Sequence, residues 1–193
     1  MARQILSLHL GPLGESTQEI NFLGQALSVR RIGADGDQDR VAELIRAYDG
    51  KVDAIALEGM SAKLNLGSAS VTHAAGAELR KAAKQTPVLD GGGIRGALER
   101  WAVRLASEAQ PGIFSQKNVL MVPGLNHRGL AAALEETAAE VSYADSIIYF
   151  RLPAPLGNNL ALDRGAGPAL AQLKDEPFRR IFPLAGTPGV PRV

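Results

Sequence analysis

Two glycine-bearing turns in this sequence lie where a strand runs into a helix, and each carries side chains able to handle an anion. The first spans Lys117-Asn-Val-Leu-Met-Val-Pro-Gly-Leu-Asn-His-Arg-Gly129. A helix N-terminus offers unpaired N–H groups and a positive dipole end to a pyrophosphate. Gly124 and Gly129 leave room for its approach, and His127 and Arg128 lie within reach of phosphate oxygens. A second strand then ends at Asp145, about 20 positions after Gly124, the separation from which a carboxylate reads an adenosine ribose. The expected cofactor is NAD or NADP, held by Gly124, His127, Arg128, Gly129 and Asp145. The full fingerprint has a third glycine, whereas Pro123, Leu125 and Asn126 crowd this turn.

The second turn is Asp90-Gly-Gly-Gly-Ile-Arg-Gly96. Gly91, Gly92 and Gly93 let the backbone approach a ligand, and Arg95 adds a fork for a carboxylate or phosphate. Asp90 at the strand end could hold a substrate hydroxyl or act as a base. Glu58, before Gly59, could face the same crevice, and Lys63 could supply a cation to an anionic substrate. Each has a plainer alternative: a capping Asp90, a solvated Arg95, a loop carboxylate at Glu58 and a solvated hairpin lysine at Lys63.

The elements that must position these residues alternate. Ile5 to Leu10, Ala26 to Ile32 and Val52 to Leu57 read as strands. Val41, Leu44, Ile45 and Tyr48 form one helical stripe, capped by Asp37 or Asp39 and ended by Gly50. Lys63 to Thr72 reads as a small hairpin turning at Gly67-Ser68, and Ala74 to Lys84 as an Ala-rich helix. Pro87 to Leu89 is a short strand. Ile94, Leu98, Trp101, Ala102 and Leu105 mark the strongest helix, on which Trp101 is expected as a core anchor. Gln110-Pro-Gly112 ends it and suggests a domain boundary near Pro111, dividing residues 1–112 from 113–185. Asn118 to Val122, Arg128 to Ala138 and Glu140 to Tyr143 come next as strand, helix and strand. Ser146 to Phe150 continues the apolar run, with short helices around Ala169 to Leu173 and Phe178 to Phe182. Gly186 to Val193 reads as a disordered tail. The alternation predicts an α/β fold with a mainly parallel sheet: an N-terminal α/β lobe, then the start of a Rossmann-like βαβ lobe.

Composition removes several function classes. The 193 residues carry 21 Lys and Arg against 20 Asp and Glu, so nothing draws the chain to nucleic acid or an anionic membrane. No cysteine means no disulfide, thiolate zinc site or thiol nucleophile, and three histidines leave little for a metal. The apolar run before Gly11 is too short for a signal peptide or a membrane span, so a cytoplasmic location is expected.

Several runs together resemble bacterial proteins described as predicted quinate 5-dehydrogenases: Arg31-Ile-Gly-Ala-Asp-Gly36, Asp49-Gly-Lys-Val-Asp-Ala-Ile55, Thr86-Pro-Val-Leu-Asp-Gly91, Leu98-Glu-Arg100 and Val119-Leu-Met-Val122. The resemblance implies a substrate domain followed by a dinucleotide-binding domain, laid out as in shikimate dehydrogenases, here shortened at the C-terminus. The Asn-Val-Thr-x-Pro-x-Lys segment that carries their catalytic lysine is not found. The expected activity is NAD(P)-linked oxidation or reduction of a small hydroxylated carboxylate, with Asp90 and Lys63 in catalytic roles and Glu58, Gly91, Gly92, Gly93 and Arg95 binding substrate. The alternative is a non-catalytic small-molecule or anion-binding regulatory module. A third is a homo-oligomer that completes its short sheet across a subunit interface.

Overall fold

A computed structural model of the chain describes residues 2–122, 124–157 and 159–181. In chain order the elements are β1 (Arg3–His9), β2 (Gly14–Phe22), β3 (Gln25–Gly33), α1 (Gln38–Tyr48), β4 (Ala54–Glu58), β5 (Lys63–Leu66), β6 (Ala69–Thr72), α2 (Ala74–Lys81), β7 (Val88–Leu89), α3 (Gly92–Ala109), β8 (Asn118–Met121), α4 (Arg128–Glu135), β9 (Glu140–Tyr143), α5 (Asp145–Phe150), α6 (Asn159–Leu173) and α7 (Phe178–Ile181). The protein is α/β with a mainly parallel sheet, as its alternating periodicity predicts. The expected tail from Gly186 lies outside the described residues. Among those residues no helix is long and apolar enough to cross a membrane.

Two compact units share the chain. The first takes residues up to Ala62, Thr72–Gly91 and the segment from Asp175; the second takes Lys63–Val71 and Gly92–Lys174. The chain passes between them four times, and the passage nearest the boundary that composition suggests at Pro111 falls earlier, between Gly91 and Gly92. The reason is helix packing. A Cβ on Gly129 of α4 would collide with the Gly96 backbone of α3, so the two helices touch backbone to backbone and α3 groups with the segment on its C-terminal side.

In the first unit, the strand order is β2-β3-β1-β4-β7, with β3, β1, β4 and β7 parallel and β2 antiparallel at the edge. Alternate residues Leu6, Leu8, Ile55 and Leu57 point to one face, where Val41 and Ile45 of α1 and Leu79 of α2 bury them. Strand β2 is missing from the sequence reading, and its burial explains why. All nine residues of Gly14–Phe22 are exposed, so no apolar alternation marks it. The unit is closed by His73, fully buried, whose Nδ1 accepts the Gly76 N–H and whose Nε2 lies 2.8 Å from the Glu176 carbonyl.

Asp49 braces the same unit. Its carboxylate accepts the N–H groups of Lys84, Gln85 and Thr86 at 2.7, 2.9 and 2.8 Å, which pull its pKa down from 3.8 to about 2. A depressed carboxyl contributes stability above its unfolded pKa and loses it as pH falls through the folded one. Asp49→Asn should therefore narrow the gap between melting temperatures measured at pH 7 and near pH 2. An unchanged gap would remove Asp49 from the acid response.

The second unit holds the parallel pair β8–β9, in register from Asn118–Glu140 to Met121–Tyr143, connected through α4. The hairpin expected over Lys63 to Thr72 is present as β5–β6. Its Asn65 exchanges two hydrogen bonds with Asn126, which stands at φ 64° in the loop before α4. The apolar run after Tyr143 does not extend the strand; it forms helix α5. Trp101 is also misplaced by the sequence reading. It is 58% exposed, because α3 turns Val103 inward instead.

Candidate functional site

The loop between β8 and α4 has the expected shape, but the protein's own carboxylates occupy its anion positions. Asp145 is 1% exposed, and it accepts the Gly124 N–H at 2.7 Å and the Leu125 N–H at 2.9 Å. Burial pushes its carboxyl up, against those two N–H bonds, which pull it down. The residue expected to read a ribose is instead the first residue of α5, folded back onto the loop. Glu99 of α3 does the same for the helix. Its carboxylate accepts the Leu130 N–H in the first turn of α4 at 3.1 Å and the His127 Nδ1–H at 2.8 Å. Where a pyrophosphate would meet unpaired N–H groups, a carboxylate already neutralises the dipole end.

The two glycines are explained by packing. A Cβ on Gly124 would stand 2.7 Å from the Tyr143 ring and 3.0 Å from the Asp145 carboxylate, and Gly129 is needed for the α3–α4 contact. Arg128 is exposed, at the rim of a cavity of about 190 Å³ that Asn65, Ser68, Glu135, Tyr143 and Asp163 also line. Tyr143 donates its hydroxyl to Glu135, and Asp163 accepts the Ser68 N–H. The cavity is below the range of about 300–1,000 Å³ in which drug-sized ligands sit.

The Asp90–Gly96 turn is divided. Asp90 and Gly91 belong to the first unit, and Gly92, Gly93 and Arg95 to the second, as does Lys63. The paired catalytic roles of Asp90 and Lys63 therefore fall on different units. Asp90 accepts the Ala62 N–H at 2.8 Å and so braces the loop after β4. Gly91 needs its glycine for a φ of 70°, whereas a Cβ on Gly93 would meet open space. Lys63 is exposed.

A cluster of which the sequence singles out only Glu58 lies at the carboxyl ends of the parallel strands of the first unit, where ligands of open α/β sheets bind. Register pairs Ser7 with Arg31 and His9 with Glu58. These four stand on the face opposite Leu6 and Leu8. Glu58 accepts Arg31 Nε at 2.7 Å and Nη2 at 2.6 Å, and the Ser7 hydroxyl at 2.5 Å. The Arg31 guanidinium lowers the Glu58 carboxyl below its usual range. His9 is held neutral by burial and by Arg31, and since Nδ1 accepts the Gly11 N–H at 3.0 Å, its proton is on Nε2. Ser7 gives its hydrogen bond to Glu58 and not to His9, so the arrangement is not a serine–histidine nucleophile. It offers an imidazole N–H and the Nη1 edge of a half-exposed guanidinium to a ligand, while the buried Ser7 hydroxyl holds Glu58 in place. The signal was the alternation Ser7, His9 within an apolar strand. A separate groove of about 710 Å³ runs along α1 and α2, between Arg46, Lys81 and Lys84 and the carboxylates of Asp39 and Glu78. It shares no residue with the cluster.

Fold and site together define a two-unit α/β protein with a polar cluster at one sheet edge and a self-filled βαβ loop. The chain belongs to the family described as Domain of unknown function (DUF8754), which matches residues 93–190. Residues 4–90 match a second family, described as Domain of unknown function (DUF8753). The interval between the two matches contains the Gly91–Gly92 crossing. No curated protein and no solved structure matches the chain.

Proposed function

We propose that this protein is a non-catalytic module that binds a small hydroxylated carboxylate at the carboxyl edge of its first sheet. One observation carries the reading. The N–H groups on which a dinucleotide would depend, at Gly124, Leu125 and Leu130, are already bonded to Asp145 and Glu99. A cofactor would have to displace two carboxylates that the fold itself supplies. The first-unit cluster supports the ligand class, because the half-exposed Arg31, whose Nε and Nη2 are held by Glu58, retains Nη1 to engage a carboxylate while the His9 Nε2–H meets a hydroxyl. A cytoplasmic setting, where such metabolites circulate, is part of this proposal.

The test is a thermal-shift series with quinate, shikimate, NAD and NADP. A hydroxy acid at about 100 times its Kd stabilises the native state by about 2.7 kcal/mol. We expect that shift in the wild type and its loss in Arg31→Ala, with no shift from either nucleotide. Stabilisation by NAD or NADP would replace this reading with the quinate/shikimate-type dehydrogenase, its cofactor on Gly124, His127, Arg128 and Gly129.

A further inference from the structure

Helix α3 presents an apolar stripe to solvent. Ile94, Leu98, Trp101 and Leu105 are 58, 49, 58 and 44% exposed. They lie on the side of the helix opposite Gly96, Glu99 and Val103, so the stripe points away from α4. Small residues Ala97 and Ala102 flank it and are exposed as well. A large aromatic in the middle of such a stripe is the composition of an interface centre.

We infer that this face is the dimer interface of the protein, with a second copy of the chain packed antiparallel along α3. The spacing identifies the occupant. The stripe reads four, three, four along the helix, from Ile94 to Leu98, Trp101 and Leu105, and it is the same in either direction. A two-fold axis between Leu98 and Trp101 sets Ile94 against the partner's Leu105 and Leu98 against the partner's Trp101. Ala97 and Ala102 lie on opposite flanks of the stripe, so neither flank crowds the approach of the helices. An isologous contact needs this self-complementarity, and a heterologous partner does not. The alternation of three and four is the period of a two-helix seam.

Size is adequate. Two 18-residue helices, each about 27 Å long, bury on the order of 1,000 Å² together, where specific interfaces begin. A lipid surface fits less well. Arg104 and Arg95, the basic residues on the two flanks of the stripe, are both engaged, Arg104 by Glu108, which leaves little free positive charge for anionic headgroups. The inference does not depend on the ligand reading.

The experiment measures mass by sedimentation and light scattering from 1 to 100 µM, with emission of the single tryptophan followed on dilution. The wild type should be a dimer with blue-shifted Trp101 emission that moves red as it dissociates. Leu98→Arg, which places two like charges beside the axis, should weaken association at least 100-fold. Leu23→Arg, at a residue 91% exposed in the β2–β3 turn, should not. Because the chain lacks cysteine, Ile94→Cys with Leu105→Cys provides an independent check: oxidation should link position 94 of one chain to position 105 of the other only in the antiparallel alignment. A monomeric wild type at 100 µM would overturn the inference, whether its tryptophan is exposed or covered by its own chain. So would a dimer indifferent to Leu98→Arg that resists this cross-link, or a monomer that binds anionic vesicles through α3.

Discussion

Asp145→Ala is expected to destabilise the second unit by about 3 kcal/mol, since it leaves two buried N–H groups, on Gly124 and Leu125, without an acceptor. Water cannot replace the carboxylate readily, because the residue is 1% exposed. Asp145→Asn should recover part of the loss, as its amide retains one oxygen acceptor but offers an NH₂ where the second N–H arrives. The effect depends on pH with a defined sign. Burial raises the folded pKa above 3.8, so the contribution of Asp145 is complete below that value and declines as pH rises through the folded one. Urea unfolding of both variants at pH 4 and pH 7 should therefore show the larger alanine penalty in acid. A penalty below about 0.5 kcal/mol, the size of an ordinary surface change, would show that the carboxylate is not what holds the loop.

Gly129→Ala should also be destabilising, by about 2–3 kcal/mol, although the same change inside a helix normally gains up to about 1 kcal/mol. The sign reverses because the added methyl meets the Gly96 backbone, and neither helix can move without separating α3 from α4. Gly165→Ala in α6 is the control. A Cβ there meets nothing, so only the propensity gain remains and stability should rise. If Gly129→Ala also stabilised the protein, α3 and α4 would not cross where the structure places them.

Both predictions concern residues that the sequence selects for a different reason. Gly124, Gly129 and Asp145 have the types and spacing of a dinucleotide loop, and that spacing was legible because strand, turn and helix are consecutive in the chain. Glu99 was not legible in this role. It lies one element earlier in the chain, and only the α3–α4 packing brings its carboxylate to the Leu130 N–H. The same limit applies to the Ser7 cluster. Its members come from β1, β3 and β4, and sheet register, not proximity in sequence, puts Ser7 beside Arg31 and His9 beside Glu58.

What the sequence by itself determined is the class of the fold and most of its elements in order: the alternating strands and helices other than β2 and α5, the Lys63–Thr72 hairpin and the core stripe of α1. These depend on periodicities of two and 3.6 residues, which act within a few positions. What only the tertiary structure decided is where each surface goes. The stripe through Trp101 has the pattern of a buried face, yet a pattern cannot say which neighbour covers it; the Gly96–Gly129 contact turned the other side of α3 inward. Strand β2 escaped notice because backbone pairing with β3, not an apolar face, holds it. Exposure and pairing are settled between distant segments, so their physical cause lies outside any local window of sequence.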